Sequence, residues 1–159
     1  MLLSLAIERA VLDGDGYDEG RRGDDGMGLG GFDLRAEFER DCELWLPAER
    51  REFWSRTIAV AFSTKWPRTG NVSAVGAFRA ALHAIAGVGD LADGLQAAIS
   101  IGGDTGTVAA IAGSLLGALY GAEAVTMAKW RDVLHGWPGL DAEGLEQLAL
   151  EAADRPRSD

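Results

Sequence analysis

The segment Ile101-Gly102-Gly103-Asp104-Thr105-Gly106-Thr107 gathers the residue types best suited to chemistry in this chain. Two glycines let the backbone take a tight reversal. Asp104, Thr105 and Thr107 then lead directly into an apolar helical pattern. These are ordinary helix N-cap residue types, placed where free N–H groups and the helix dipole favour negative charge. On helix physics alone, capping is the favoured reading.

The remaining reactive side chains are scattered. Cys42 is the only cysteine and sits between Asp41 and Glu43. Acidic neighbours raise a thiol pKa, so a structural role is expected rather than a nucleophilic one. One thiol makes no internal disulfide and no metal cluster, which points to a reducing, cytoplasmic setting. His83 and His135 have no Ser, Asp or Cys partner at a recognisable catalytic spacing. His83 is expected to be a satisfied core or surface histidine. His135 is expected to cap carbonyls near a helix end. Tyr120, Trp130 and Trp137 offer faces for stacking on adenine, but aromatics at helical spacing are more often packed. Asp and Gly alternate between Asp13 and Gly31 as in calcium loops. The EF-hand spacing with its terminal Glu is missing, so the stretch reads as an acidic loop or linker.

Helical periodicity must position these groups. Leu2 to Leu12 reads as a short helix, with Leu2, Leu5, Ile7 and Val11 apolar. Leu34 to Leu44 reads as a charged helix. Pro47 suits the first turn of another, with Glu49 near its positive end and Phe53, Trp54, Thr57, Ile58, Ala61 and Phe62 at helical spacing. Trp66 to Asn71 breaks it. Val72 to Ala86 and Leu91 to Ile99 mark two more. The pattern is clearest at Val108 to Tyr120, with Val108, Ile111, Ala112, Leu115 and Leu119 in one stripe. Gly113 and Gly117 share a face there and predict close approach of another backbone to a central helix. Gly121 is expected to cap it. Trp130 to Gly139 reads as a helix end and turn, and Gly144 to Ala152 as a last helix. No stretch alternates with period two for long, so the fold class is all-α.

The motif and its surroundings resemble the ADP-ribosylglycohydrolase family. The family's signature is Gly-Gly-Asp-Thr-Asp-Thr before a small-residue helix. Here Gly-Gly-Asp-Thr-Gly-Thr precedes Val108 to Gly121. Asn71-Val72-Ser73-Ala74-Val75 is similar to the helix entry ahead of the motif, and Leu134 to Leu140 to the end found in bacterial members. Leu46 to Arg50 and Trp54 are similar to the upstream part. The resemblance runs from about Leu46 to Leu150 and is weak before that.

The resemblance implies a compact multi-helix domain like the C-terminal half of that fold. It implies a divided chain: residues 1–45 with an N-terminal helix, acidic loop and charged helix, 46–152 as the helical domain, and 153–159 as a polar tail. It implies metal-dependent hydrolysis of the glycosidic bond between ADP-ribose and a protein side chain, with two magnesium or manganese ions. Asp104 and Thr107 match metal ligands, and Thr105 falls between the family's two aspartates. Gly106 replaces the second aspartate. The family's other ligands lie in an earlier Thr-Asp-Asp run, for which Asp24-Asp25 is a poor substitute. No catalytic residue is assigned on this ground. The expected partners are ADP-ribose or an ADP-ribosylated protein, with a complementary chain or a second copy completing the site. The alternative is an inactive ADP-ribose-binding or protein-interaction module.

Composition sets the outer bounds. The chain has 159 residues, 47% of them hydrophobic, enough for a real core. The formal net charge is -10. Such a surface repels phosphates and anionic headgroups, so neither nucleic acid nor a membrane is an expected partner. The N-terminus lacks a basic segment ahead of its apolar run and does not read as a signal peptide.

Overall fold

The computed structural model describes residues 1–14, 33–63, 70–126 and 130–154. The Asp-Gly loop beyond Gly14, Asp24-Asp25, most of the break before Asn71 and the terminal polar tail fall outside the described residues. The described chain is all-α apart from one two-residue hairpin. It divides into two compact units, Met1–Ala124 and Val125–Asp159.

The first unit begins with α1 (Leu2–Gly14) and α2 (Leu34–Trp45), which pack on each other. The buried face of α1 is Leu2, Ala6 and Ala10 at i, i+4 and i+8. Val11, expected on the apolar side, is 55% exposed. Small alanines win the inner face because they bring α1 close enough for Arg9 to cross to α2. Arg9 bonds Glu37 at 2.7 Å and Asp41 at 2.5 Å. Arg40 adds a further bond to Glu37. Asp41 is fully buried, and its Oδ2 has no hydrogen-bond partner among the described residues. The Asp41 hydrogen bond is the main cause holding the Arg9 guanidinium above its ordinary pKa.

Asp33 starts α2 by accepting from Ala36 N–H at 3.0 Å. Leu34, Phe38, Asp41 and Cys42 then face inward. Pro47 is the N-cap of α3 (Ala48–Ala61), just outside the first turn expected for it, and Glu49 lies in that turn as the sequence predicts. Thr57, Ile58 and Ala61 form its buried face.

α4 (Ala74–Ile85) is the helix buried on most sides. Gly76, Ala77, Phe78, Ala80, Ala81, Leu82, Ala84 and Ile85 are all inside. Its alanines leave space for neighbours to close in around it, and Phe78 fills the centre. Phe78 takes Phe38 of α2 edge-on at 5.4 Å and Trp54 of α3 edge-on at 5.8 Å. Such pairs contribute about 0.5–1.5 kcal/mol beyond their buried area. The helix starts later than the periodicity predicts. Ser73 is the N-cap, accepting from Gly76 N–H at 3.1 Å, and Val72 lies outside, 82% exposed.

α5 (Leu91–Ser100) packs on α4, and α6 (Thr105–Thr126) follows after a short reversal. Val108, Ala112, Leu115, Leu116 and Leu119 make the buried stripe of α6, close to the expected one. Central position belongs to α4, because Ala110 and Ser114 of α6 face solvent. The glycine expectation is also corrected. Gly117 has nothing within 4 Å of an added Cβ, and Gly113 would meet only the side chain of Leu95. The close approach lies at Gly94 of α5, where a methyl would overlap Leu116 Cδ1. Gly121 interrupts the helix at φ 73°.

The second unit holds a 3-10 turn at Arg131–Val133, the hairpin β1 (His135–Gly136) and β2 (Leu140–Asp141), and α7 (Ala142–Ala153). His135 pairs with Asp141 and Gly136 with Leu140. The expected turn is thus a hairpin. Asp141 caps α7 by accepting from Gly144 N–H at 2.9 Å, two residues ahead of the predicted start.

Removing one partner of a buried ion pair strands the other charge. Arg9→Ala is therefore expected to cost about 2–4 kcal/mol in urea unfolding. The double variant Arg9→Met/Asp41→Leu is expected to cost less than Arg9→Ala alone. Equal or additive losses would show that Asp41 does not depend on Arg9.

Candidate functional site

The site is built where α5 gives way to α6. Ile101 and Gly102 close the end of α5, with Gly102 N–H donating to Ile99 O at 3.2 Å. Gly102 and Gly103 then take φ of 79° and 69°, a region that L side chains rarely occupy. Gly103 is required twice over. A Cβ there would also run into Oδ1 of Asn71.

Asn71 comes from the turn before α4 and is buried, 7% exposed. Its Nδ2 donates to Gly102 O at 2.8 Å, and its Oδ1 accepts from Asp104 N–H at 3.1 Å. One amide therefore satisfies both backbone groups flanking Gly103. The turn that carries it is equally tight. A Cβ on Gly76 would lie 2.5 Å from Gly70 O and 3.1 Å from Asn71 Cα.

Asp104 then opens α6. Its Oδ1 accepts from Thr107 N–H at 3.3 Å, and its carbonyl accepts from Val108 N–H at 3.2 Å. The structure thus places Asp104 and Thr107 side by side on the first turn. Asp104 does cap the helix, but loosely. The equivalent bonds of Asp33, Asp90 and Asp141 are 3.0, 2.7 and 2.9 Å. The cap uses Oδ1 alone and leaves Oδ2 outside it. Asp104 and Thr105 are half-buried, while Gly106 and Thr107 are exposed. Nothing lies within 4 Å of a Cβ placed on Gly106, so the position of the missing carboxylate is open space.

Among the described residues no group of three His, Cys, Asp or Glu side chains comes together. The donor set at the loop is one carboxylate, that of Asp104, and the hydroxyls of Thr105 and Thr107. That fits a single hard cation with water completing its shell, in the way magnesium binds through one or two carboxylates. It does not fit a two-ion centre.

The other candidates stand apart from this loop. Cys42 is fully buried on α2. Its thiol pKa is raised, first by burial and then by Asp41, Glu43 and Glu39. The acidic neighbours expected to dominate come second to desolvation. His83 donates from Nδ1 to Ala61 O at 2.9 Å, tying α4 to the end of α3. His135 donates from Nδ1 to Val133 O at 3.0 Å, a carbonyl at the end of the 3-10 turn. Tyr120 donates to Val88 O at 3.5 Å. Trp137 is 92% exposed in the second unit, not packed into a core. Asn71 is the residue that sequence reasoning placed only at a helix entry. Its partners lie 31 and 33 positions away, and no local pattern announces them.

An all-helical domain that offers an aspartate and a threonine from a di-glycine reversal, at the head of a small-residue helix, defines the class of protein. The chain belongs to the ADP-ribosylglycohydrolase family, whose profile matches residues 4–159. The match takes in α1 and α2, well ahead of Leu46, so the N-terminal helices are also of this family. No curated protein and no solved structure matches the chain. Among the described residues no helix is long and apolar enough to cross a membrane.

Two outcomes follow from this geometry. Gly103→Ala is expected to destabilise by about 1–3 kcal/mol, through positive φ and collision with Asn71. Gly106→Ala, in open space at normal φ, is expected to stabilise by about 0.4–1 kcal/mol. Urea unfolding of the two variants reads the contrast, and equal effects would contradict the loop geometry. For Cys42, a folded pKa above the unfolded value makes the native state hold its proton longer. Its stability contribution is complete below the unfolded thiol pKa of about 8.5 and is lost as pH rises through the folded pKa. Alkylation of the native chain at pH 8 is expected to be far slower than of the unfolded chain, measured by mass.

Proposed function

We propose that the chain handles ADP-ribose groups attached to protein side chains, with Asp104 and Thr107 holding one magnesium or manganese ion. The observation that supports this reading is the di-glycine loop, pinned by Asn71, that starts α6 with Asp104 and Thr107 on its first turn. Family membership over residues 4–159 supports the substrate class. Bound there, the ion would supply polarisation of ribose hydroxyls as the bond to C1 is cleaved. Asp104 supplies the negative charge that attracts the ion, and Thr107 a neutral oxygen beside it. The first turn of α6 holds the two backbones at fixed spacing. The apolar stripe of Val108, Ala112 and Leu115 anchors that turn in the core.

The general acid or base and the further carboxylates come from beyond the described residues. A complementary chain or a second copy supplies them. The chain alone is then expected to bind manganese weakly and to turn over little. Gly106→Asp adds the carboxylate that the open position accepts and is expected to tighten manganese binding at least tenfold, read by calorimetry. Hydrolysis of ADP-ribosyl-arginine or ADP-ribosyl-serine with manganese tests the reaction. No turnover, with or without a complementary half in trans, eliminates the hydrolase reading.

Gly106 also favours a second reading, in which the chain binds ADP-ribose without cleaving it. Calorimetry with ADP-ribose separates the two. Binding without turnover supports a reader, and no binding of nucleotide or metal leaves a protein-interaction module.

A further inference from the structure

We infer that Asn71 is the positioning residue that sets how Asp104 presents its carboxylate, and that the N-terminus of α4 is thereby part of the site. The inference deepens the reading of Asp104 as a metal ligand and rests on it. Asn71 touches neither an ion nor a substrate in this scheme. It acts through the backbone on both sides of Gly103.

Gly102 and Gly103 have φ of 79° and 69°, and glycine at such positions is intrinsically free to rotate. Left alone, two adjacent glycines would let the peptide planes swing and carry Asp104 with them. The Asn71 amide removes that freedom. Its donor fixes the carbonyl of Gly102 and its acceptor fixes the N–H of Asp104, at 2.8 and 3.1 Å. The Asp104 peptide plane is then fixed on its N-terminal side, and the Asp104 carbonyl, which accepts from Val108 N–H at 3.2 Å, restrains rotation about N–Cα, so the two together set the direction of Cα–Cβ. The cap to Thr107 is too long, at 3.3 Å, to do this by itself.

Asn71 is itself held from outside the loop. It is buried, 7% exposed, in a turn pressed against Gly76 and capped by Ser73. The two segments are 33 positions apart in the chain, so the coupling is tertiary. Groups outside a metal's own ligands that orient them typically change metal affinity 10- to 100-fold when removed. Asn71 has that relation to Asp104.

Asn71 is the only asparagine in the chain, which makes the test direct. Labelling with 15N-asparagine yields one side-chain amide pair from the intact protein. In the native chain that pair is expected to exchange slowly with solvent, as is the Asp104 N–H. Asn71→Ala is expected to speed exchange at Asp104 at least tenfold and to weaken manganese binding 10- to 100-fold, while exchange in α2 and α3 stays unchanged. Asn71→Asp keeps an acceptor for Asp104 but loses the donor to Gly102. It serves if the alanine variant does not fold, and the same faster exchange is expected. Fast exchange of the Asn71 amide in the native chain, or unchanged Asp104 exchange in both variants, overturns the inference. If the native chain binds no manganese, the metal reading fails on its own, and exchange at Asp104 still decides the role of Asn71.

Discussion

The candidate site depends on a chain reversal that no side chain other than hydrogen tolerates. α5 must stop, turn and release α6 within four residues, and the two glycines that do this lie at positive φ. The first consequence is steric. At Gly103 the space a Cβ needs is taken by the amide of Asn71. The second is polar. A reversal between two helices leaves backbone groups that helix hydrogen bonding no longer satisfies, and these must find partners elsewhere. One side chain from a different turn provides both partners. Glycine identity, loop shape and the contact between the turn before α4 and the loop before α6 are thus one constraint seen from three sides.

The rest of the first unit explains why that contact holds its place. α4 is lined with alanine and glycine, which lets helices close around it, and Phe78 binds α2 and α3 through two edge-on aromatic contacts. The N-terminal helices are fastened differently. α1 offers alanines and one arginine, and its specificity lies in Arg9 meeting a fully buried Asp41. A buried carboxylate with one oxygen unpartnered among the described residues adds little net stability. It does fix orientation, because other rotations of α1 leave the charge without a partner.

Much of this was legible in the sequence, and the failures have physical causes. The helices were readable from apolar spacing, and α2 and α3 fall where composition and Pro47 place them. The inner face of α1 was misread because packing selected its small residues over the bulkier Val11. Gly113 and Gly117 invited a close backbone approach, yet a glycine signals space only if a neighbour fills it, and here the neighbour fills Gly94. The hairpin at His135–Asp141 is too short to register as alternation. The cap that Asp104 makes to Thr107 N–H was legible because it is local. Asn71 was not, because its role exists only once α4 and the loop meet.

On the proposed reading Asp104 would be both helix cap and ligand. A carboxylate used fully by the helix end would have little left for an ion. Asp104 makes the longest of the four aspartate caps, and only through Oδ1. Its backbone is held by Asn71, so the cap need not carry the loop's conformation. Capping and coordination are therefore compatible here. Gly106 is a different matter. It lies on the same first turn, exposed and with open space where a carboxylate would point. Nothing in the packing demands glycine there, since its φ is ordinary and no neighbour crowds it. The loss of that carboxylate leaves the architecture of the site intact and removes charge alone. The scaffold that presents Asp104 is thus separable from the number of charges it presents.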